Sequence, residues 1–229
     1  MFWTVPKIWK GGECWIIGGG PSITRQFEIP DEIVRKVKSG ELGVDAYSPY
    51  LSYLHNKHVI AVNMAYKIGD WIDMMFFGDR SFWDRVKRDL HKFPGLKVTC
   101  GISVDKQFPN VRMLKRKKGR AWTYGLASEP NSVCWNSNSG AAAINLAIHT
   151  GVKRIYLLGF DMQAKDPERH WHKLYGQISK NPPYLTHMRS FPAVKKDADK
   201  LGIEIINVNP GSAIKDFPRM SLKQIQDEN

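Results

Sequence analysis

Three histidines, His170, His172 and His187, carry the side chains best able to move protons near neutral pH. His170-Trp171-His172 with a carboxylate such as Asp161 has the parts of a metal site. No further ligand stands at helical spacing, so a general base fits better and no metal or cofactor is expected. Asp197-Ala198-Asp199 has the Asp-x-Asp form of metal-dependent sugar transferases, but it lies among lysines, where a solvated helix face explains it.

The second chemical signal is Gly18-Gly19-Gly20-Pro21-Ser22. Glycines at the carboxyl end of a strand let backbone N–H groups approach a phosphate, and Ser22 can cap a helix whose N-terminus faces the anion. The run is not the dinucleotide signature Gly-x-Gly-x-x-Gly, because position 23 is Ile, and Pro21 removes one donor. Asn63, Asp79 and Asn136-Ser137-Asn138-Ser139-Gly140 also sit at expected strand ends or at a helix start. In an open parallel sheet those ends converge on one crevice, where ligands bind.

The elements that must position these residues alternate between strand and helix. Apolar runs at 13–18, 58–63, 71–78, 96–100, 111–114, 154–159 and 203–208 read as strands, several of them stopped by glycine. Residues 81–91 carry apolar side chains at helical spacing. Ser139 is the expected cap of a nearly all-apolar helix over 140–150, closed by Gly151. A helix over 189–201 has Pro192 in its first turn and stops at Gly202. Strands apolar on both faces imply a parallel sheet covered on both sides. The fold class expected is therefore α/β: a Rossmann-like parallel-sheet α/β/α sandwich, one domain over 1–229, with a lid loop over 160–188.

No run reaches the length of a membrane span, and the first residues lack an apolar secretory core. Cys14, Cys100 and Cys134 are odd in number and far apart, which suggests a reducing compartment, so a cytoplasmic protein is expected. The net charge of +12 attracts polyanions. Lys115, Arg116, Lys117, Lys118 and Arg120, followed by Trp122 and Tyr124, read as a mobile surface loop. As an acceptor-binding arm, its cations would neutralise phosphates and its aromatics would stack on bases.

Taken in order, these residues resemble the bacterial sialyltransferases of glycosyltransferase family 42, and more broadly the sialyltransferase-like and pterin-pyrophosphokinase-like Rossmann proteins. Gly19-Gly20-Pro21-Ser22-Ile23 is similar to the family's opening Asn-Gly-Pro-Ser-Leu, and Val62-Asn63 to its Cys-Asn pair after the second strand. Asn138-Ser139-Gly140 and Gly159-Phe160-Asp161 resemble its Thr-Ser-Gly helix start and Gly-Ile-Asp strand end. Asn209-Pro210-Gly211-Ser212 resembles its terminal Cys-Pro-Asn-Ser. The chain departs from the family at Gly19, where an asparagine contacts the nucleotide, and at Gln163, where a tyrosine stands.

The resemblance implies a metal-independent glycosyltransferase with a nucleotide-activated sugar as donor and a hydroxyl acceptor, polyanionic or nucleic acid given the charge. Gly18 to Ser22, Asn63, Asp79, Asn138 to Gly140, Asp161 and Ser212 would hold the donor nucleotide. His187 would be the general base. His170 or a lid tyrosine, Tyr175 or Tyr184, would stabilise the leaving phosphate, with Trp171 and His172 in the same lid. The alternatives are an ATP-dependent pyrophosphokinase-like transferase, with Asp79 and Asp161 as metal ligands, and a non-catalytic nucleotide or nucleic-acid binder.

Overall fold

The computed structural model describes residues 2–101, 110–117, 125–163, 169–175 and 183–228. Among the described residues nine strands form: β1 (Glu13–Ile17), β2 (Val59–Val62), β3 (Met74–Phe77), β4 (Leu96–Thr99), β5 (Val111–Met113), β6 (Lys115–Lys117), β7 (Ser132–Cys134), β8 (Arg154–Leu158) and β9 (Glu204–Asn207). Seven of them make one sheet in the order β5-β4-β3-β2-β1-β8-β9, every pair parallel. Ile16 sits level with Ile60 on one side and with Leu157 on the other.

The continuous apolar runs follow from burial on both faces. Trp15, Ile17, Val59, Ala61, Met75, Phe77 and Leu158 pack into one core, while Cys14, Ile16, Ile60, Met74, Phe76 and Leu157 pack into a second on the opposite face. The helices are α1 (Ser22–Gln26), α2 (Asp31–Ser39), α3 (Arg80–Val86), α4 (Ser139–His149), α5 (Tyr184–Met188), α6 (Phe191–Lys200) and α7 (Leu222–Glu228). Side chains of α2, α3, α7 and the 3₁₀ segment Val44–Leu54 cover the first face, and those of α4 and α6 cover the second.

The expected parallel α/β arrangement is therefore the one observed, with three local differences. Asn138, not Ser139, caps α4: its side-chain oxygen accepts the N–H groups of Gly140 at 2.8 Å and Ala141 at 3.3 Å. Expected helix 81–91 ends at Val86, because Leu90 and Phe93 turn inward into the core and a separate turn, Leu90–Lys92, brings them there. The expected mobile loop begins instead as β6, paired with β7 from Lys115↔Ser132 to Lys117↔Cys134. Among the described residues no helix is long and apolar enough to cross a membrane.

Candidate active site

The strand order reverses between β1 and β8, since the chain fills one side of β1 first and returns to the other side only with β8. In open parallel sheets the crevice at such a reversal is where ligands bind. A cavity of about 340 Å³ lies there. Its walls are Gly18 to Gly20 after β1, Asn63 after β2, Asp79 after β3, Ser137 to Gly140 at the start of α4, Gly159 to Met162 after β8, and Arg169, His170, Tyr175, Tyr184 and His187.

Backbone strain concentrates on these walls. Asn63, Ser137 and Met162, all lining the cavity, have φ of 53°, 50° and 50°, and Asn136 beside them has 55°. Non-glycine residues rarely take this conformation, and it persists where the surroundings over-determine it. At Asn136 the cause is visible: its side chain accepts from Gly125 N–H at 3.0 Å and donates to Gly125 O at 2.9 Å.

The glycine turn is built differently from the phosphate cradle expected of it. Gly18 N–H donates to Leu158 O at 2.7 Å and Gly20 N–H to Gly159 O at 2.8 Å, so both are committed within the protein. Asp161 Oδ2 accepts from Ser22 Oγ at 2.8 Å, and Asp161 Oδ1 from Asn209 Nδ2 at 3.0 Å. The start of α1 is thus met by the protein's own carboxylate. A Cβ on Gly20 would stand 1.9 Å from Asp161 Oδ2, which explains the glycine without any ligand. Gly159, with φ +69°, faces Gly20 across the same contact. Burial raises the Asp161 pKa, opposed by Ser22, Arg25 and Asn209.

His187 on α5 and Asp79 at the end of β3 face the same cavity. Burial lowers the His187 pKa and the Asp79 carboxylate opposes this, so the site favours the neutral imidazole, the form that accepts a proton. The Asp79 pKa is raised by desolvation in the cavity, against the nearby charges of Arg116 and His187. Asn138 ties α4 to α5: besides capping α4, its Nδ2 donates to His187 O at 3.3 Å.

His170 Nδ1 lies 3.1 Å from Gly19 O. A carbonyl only accepts, so Nδ1 carries the proton and Nε2 is the basic nitrogen. Burial keeps this ring neutral also. Tyr175 packs edge-on against it at 5.0 Å. The Tyr175 phenol, pushed up to about 12 by burial, is hydrogen-bonded by the Met64 backbone and the Asn63 side chain. Asn63 Oδ1 is buried and has no hydrogen-bond partner among the described residues.

Trp171 and His172, expected on an outer lid, are core residues. Trp171 is fully buried, and its indole N–H donates to Gly18 O at 2.9 Å. His172 is 3% exposed and accepts from Leu174 N–H at 3.2 Å. Pro21, Ser22 and Ser212 are not among the cavity residues. Ser212 is buried, donating to Phe160 O at 2.7 Å and accepting from Asn207 Nδ2 at 2.9 Å, which braces the floor beneath Asp161. All the other expected nucleotide residues line the cavity, together with His170, Tyr175, Tyr184 and His187.

The basic run is divided by its strand. Lys115 is exposed, Lys117 is paired with Glu129, and Arg116 turns inward. An arm of exposed cations therefore does not form over 115–117, because strand alternation sends its middle residue toward the main sheet. Lys118, Arg120, Trp122 and Tyr124 lie outside the described residues. Sequence reasoning missed Trp135 and Arg169, which also line the cavity. Each adjoins a segment that had been singled out, Asn136 to Gly140 and His170 to His172. Of the two carboxylates that a metal-dependent phosphoryl transferase would use, Asp161 is already engaged. Among the described residues no group of three or more His, Cys, Asp or Glu side chains is placed to hold a metal ion.

Against known families and curated proteins, the chain matches none. Among solved structures it is similar to the MAf glycosyltransferase of Magnetospirillum magneticum AMB-1, with a TM-score of 0.55 and 13% identity over 96% of this chain. The two share a fold. The match covers 35% of the MAf chain, so this chain spans about a third of that protein's length. Structures of the sialyltransferase CstII from Campylobacter jejuni also match. The one with cytidine-5'-monophosphate gives a TM-score of 0.48 at 13% identity over 93% of this chain and 86% of that one. The one with CMP-3FNeuAc gives 0.47 at 14% over 92% and 86%.

Proposed function

We propose that the chain is a glycosyltransferase moving a sugar from a nucleotide-activated donor to an acceptor hydroxyl. The observation that carries the reading is that His187 and Asp79 face one switch-point cavity, in a fold shared with a glycosyltransferase. The acceptor oxygen attacks the anomeric carbon as its proton passes to His187, and Asp79 stabilises the resulting imidazolium. The bond from the anomeric carbon to the phosphate oxygen breaks, and the phosphate leaves with the electron pair. Arg169, Tyr184 and the Tyr175 phenol are the cavity groups suited to meet the developing charge.

In this reading the glycine turn shapes the cavity by close packing, and donor contacts come from side chains such as Asn63. No metal or cofactor takes part, and the protein works in the cytoplasm. The acceptor is a hydroxyl compound whose class the inward Arg116 leaves open, since it removes one cation from the nucleic-acid arm. Calorimetric titration with CMP-, UDP-, GDP- and TDP-sugars and with ATP, each with EDTA or Mg²⁺, tests the donor. One nucleotide sugar should bind in EDTA, and His187→Ala should lower its turnover by about 10²- to 10⁴-fold at nearly constant donor affinity. Binding of ATP alone, and only with Mg²⁺, would replace this reading with the pyrophosphokinase-like one.

A further inference from the structure

We propose that Arg116 is a positioning residue for Asp79 and His187, because one guanidinium fastens together the strand end bearing Asp79, the neighbouring end of β4 and the Trp135 wall of the cavity. Its Nε donates to Cys100 O at 2.9 Å, just past the end of β4, and its Nη2 to Gly78 O, the residue before Asp79. The guanidinium lies 4.1 Å from the centre of the Trp135 ring, within cation–π range. Trp135 fills the space over Gly78, where a Cβ would come within 1.8 Å of the indole. It also opens the turn through Asn136 and Ser137 to the α4 cap, Asn138, and Asn138 holds the His187 carbonyl. The side chain thus reaches Asp79 through its covalent neighbour Gly78, and His187 through Trp135, the turn to Asn138 and the hydrogen bond from Asn138 to the His187 carbonyl.

The residue type fits the task. A planar fork can bond two carbonyls and stack on an aromatic face at once, whereas an ammonium has no flat face. The place in β6 fits as well, since alternation turns Arg116 toward the main sheet while its two lysine neighbours do other work. Among the described residues, the charged and titratable groups facing Asp79 are Arg116, His187, Tyr175 and Cys100.

The inference rests on the transferase reading only for its kinetic arm. The deciding arm is NMR titration of the His187 ring in wild type, Asp79→Asn, Arg116→Gln and the double variant. Asp79→Asn should lower the His187 pKa in the wild-type background. The same substitution should shift it by less than half as much when Arg116 is Gln. Arg116→Lys, which keeps the charge but not the fork, should resemble Arg116→Gln. Equal Asp79→Asn shifts in both backgrounds, or full recovery by Lys, would overturn the proposal. Collapse of the fold in both Arg116 variants would also overturn it, leaving a purely structural arginine. In the kinetic arm, kcat should fall by about ten-fold or more, with donor KM held within about threefold. The exposed Arg112→Gln on β5 should change neither. Absence of transferase activity from every form would defeat the functional reading, while the NMR cycle would still decide the role of Arg116.

Discussion

Replacing His172 with Gln should make the folded chain less sensitive to acid, and the size of the effect follows from where the ring sits. Burial, with a smaller contribution from His170, pushes the His172 pKa down to about 3 from an ordinary 6.5. The unfolded chain takes up a proton below pH 6.5 and the folded chain does not, so the neutral buried ring favours folding fully only above that pH. The stability is lost progressively as pH falls from 6.5 toward 3. At pH 4, two and a half pH units into this window, the loss is about 3.4 kcal/mol at 1.36 kcal/mol per unit. Glutamine keeps an acceptor for Leu174 N–H but does not titrate. Urea unfolding of both proteins at pH 7.5, 6, 5 and 4 should therefore give curves whose difference closes in favour of the variant by a few kcal/mol. His149, His170 and His187 are lowered in the same direction but are common to both proteins, so they cancel in the comparison. Parallel pH slopes in the two proteins would refute the claim that His172 is held neutral in the core.

Gly20→Ala should destabilise the fold by roughly 1–3 kcal/mol through its collision with Asp161, and Asp161→Gly in the same chain should relieve part of that loss, read by thermal unfolding. Asn138→Ala should cost about 1 kcal/mol from the lost cap, with the His187 carbonyl still bonded by Ser190 Oγ at 3.0 Å. Trp171→Phe should lower stability by about 1–3 kcal/mol, since Gly18 O would lose its buried donor. In a transfer assay the rate should fall as pH drops through the His187 pKa, which burial places below 6.5, and remain level between pH 7 and 8. A rate that rises below pH 6 would argue against a neutral His187 as the base.

The main sheet was legible because burial on both faces leaves long apolar runs, as at Glu13–Ile17 and Arg154–Leu158. The cavity was legible because its residues stand at the ends of those runs. The helix over 31–39 was missed, although Pro30, the acidic Asp31 and Glu32 and the left-handed Gly40 mark its two ends. The segment at 44–54 offers no such signal, since it is 3₁₀ with Pro49 inside. The role of the glycine turn was misread for a different reason. Sequence shows that Gly20 needs close approach, but only the fold shows that Asp161, far along the chain, is what approaches. Arg116 was hidden in the same way: a run of five cations looks uniform until strand pairing separates its members.

The order of the strands also governs how the molecule is made. No two neighbours in the main sheet are joined by a hairpin, because every pairing is parallel. β1 can pair with β2 early, yet its other edge stays open until β8 has been synthesised and brought back across the sheet. Through that interval Cys14-Trp15-Ile16-Ile17 presents an apolar, unpaired strand edge, the kind of surface on which nascent chains associate. The two turns that make the cavity, Gly18 to Gly20 and Gly159 to Asp161, meet only when this edge closes. Any fragment ending before Leu158 therefore lacks both half of the cavity and the cover for its central strand. Such a fragment should be found in aggregates or bound to chaperones, not as a soluble, partly active form.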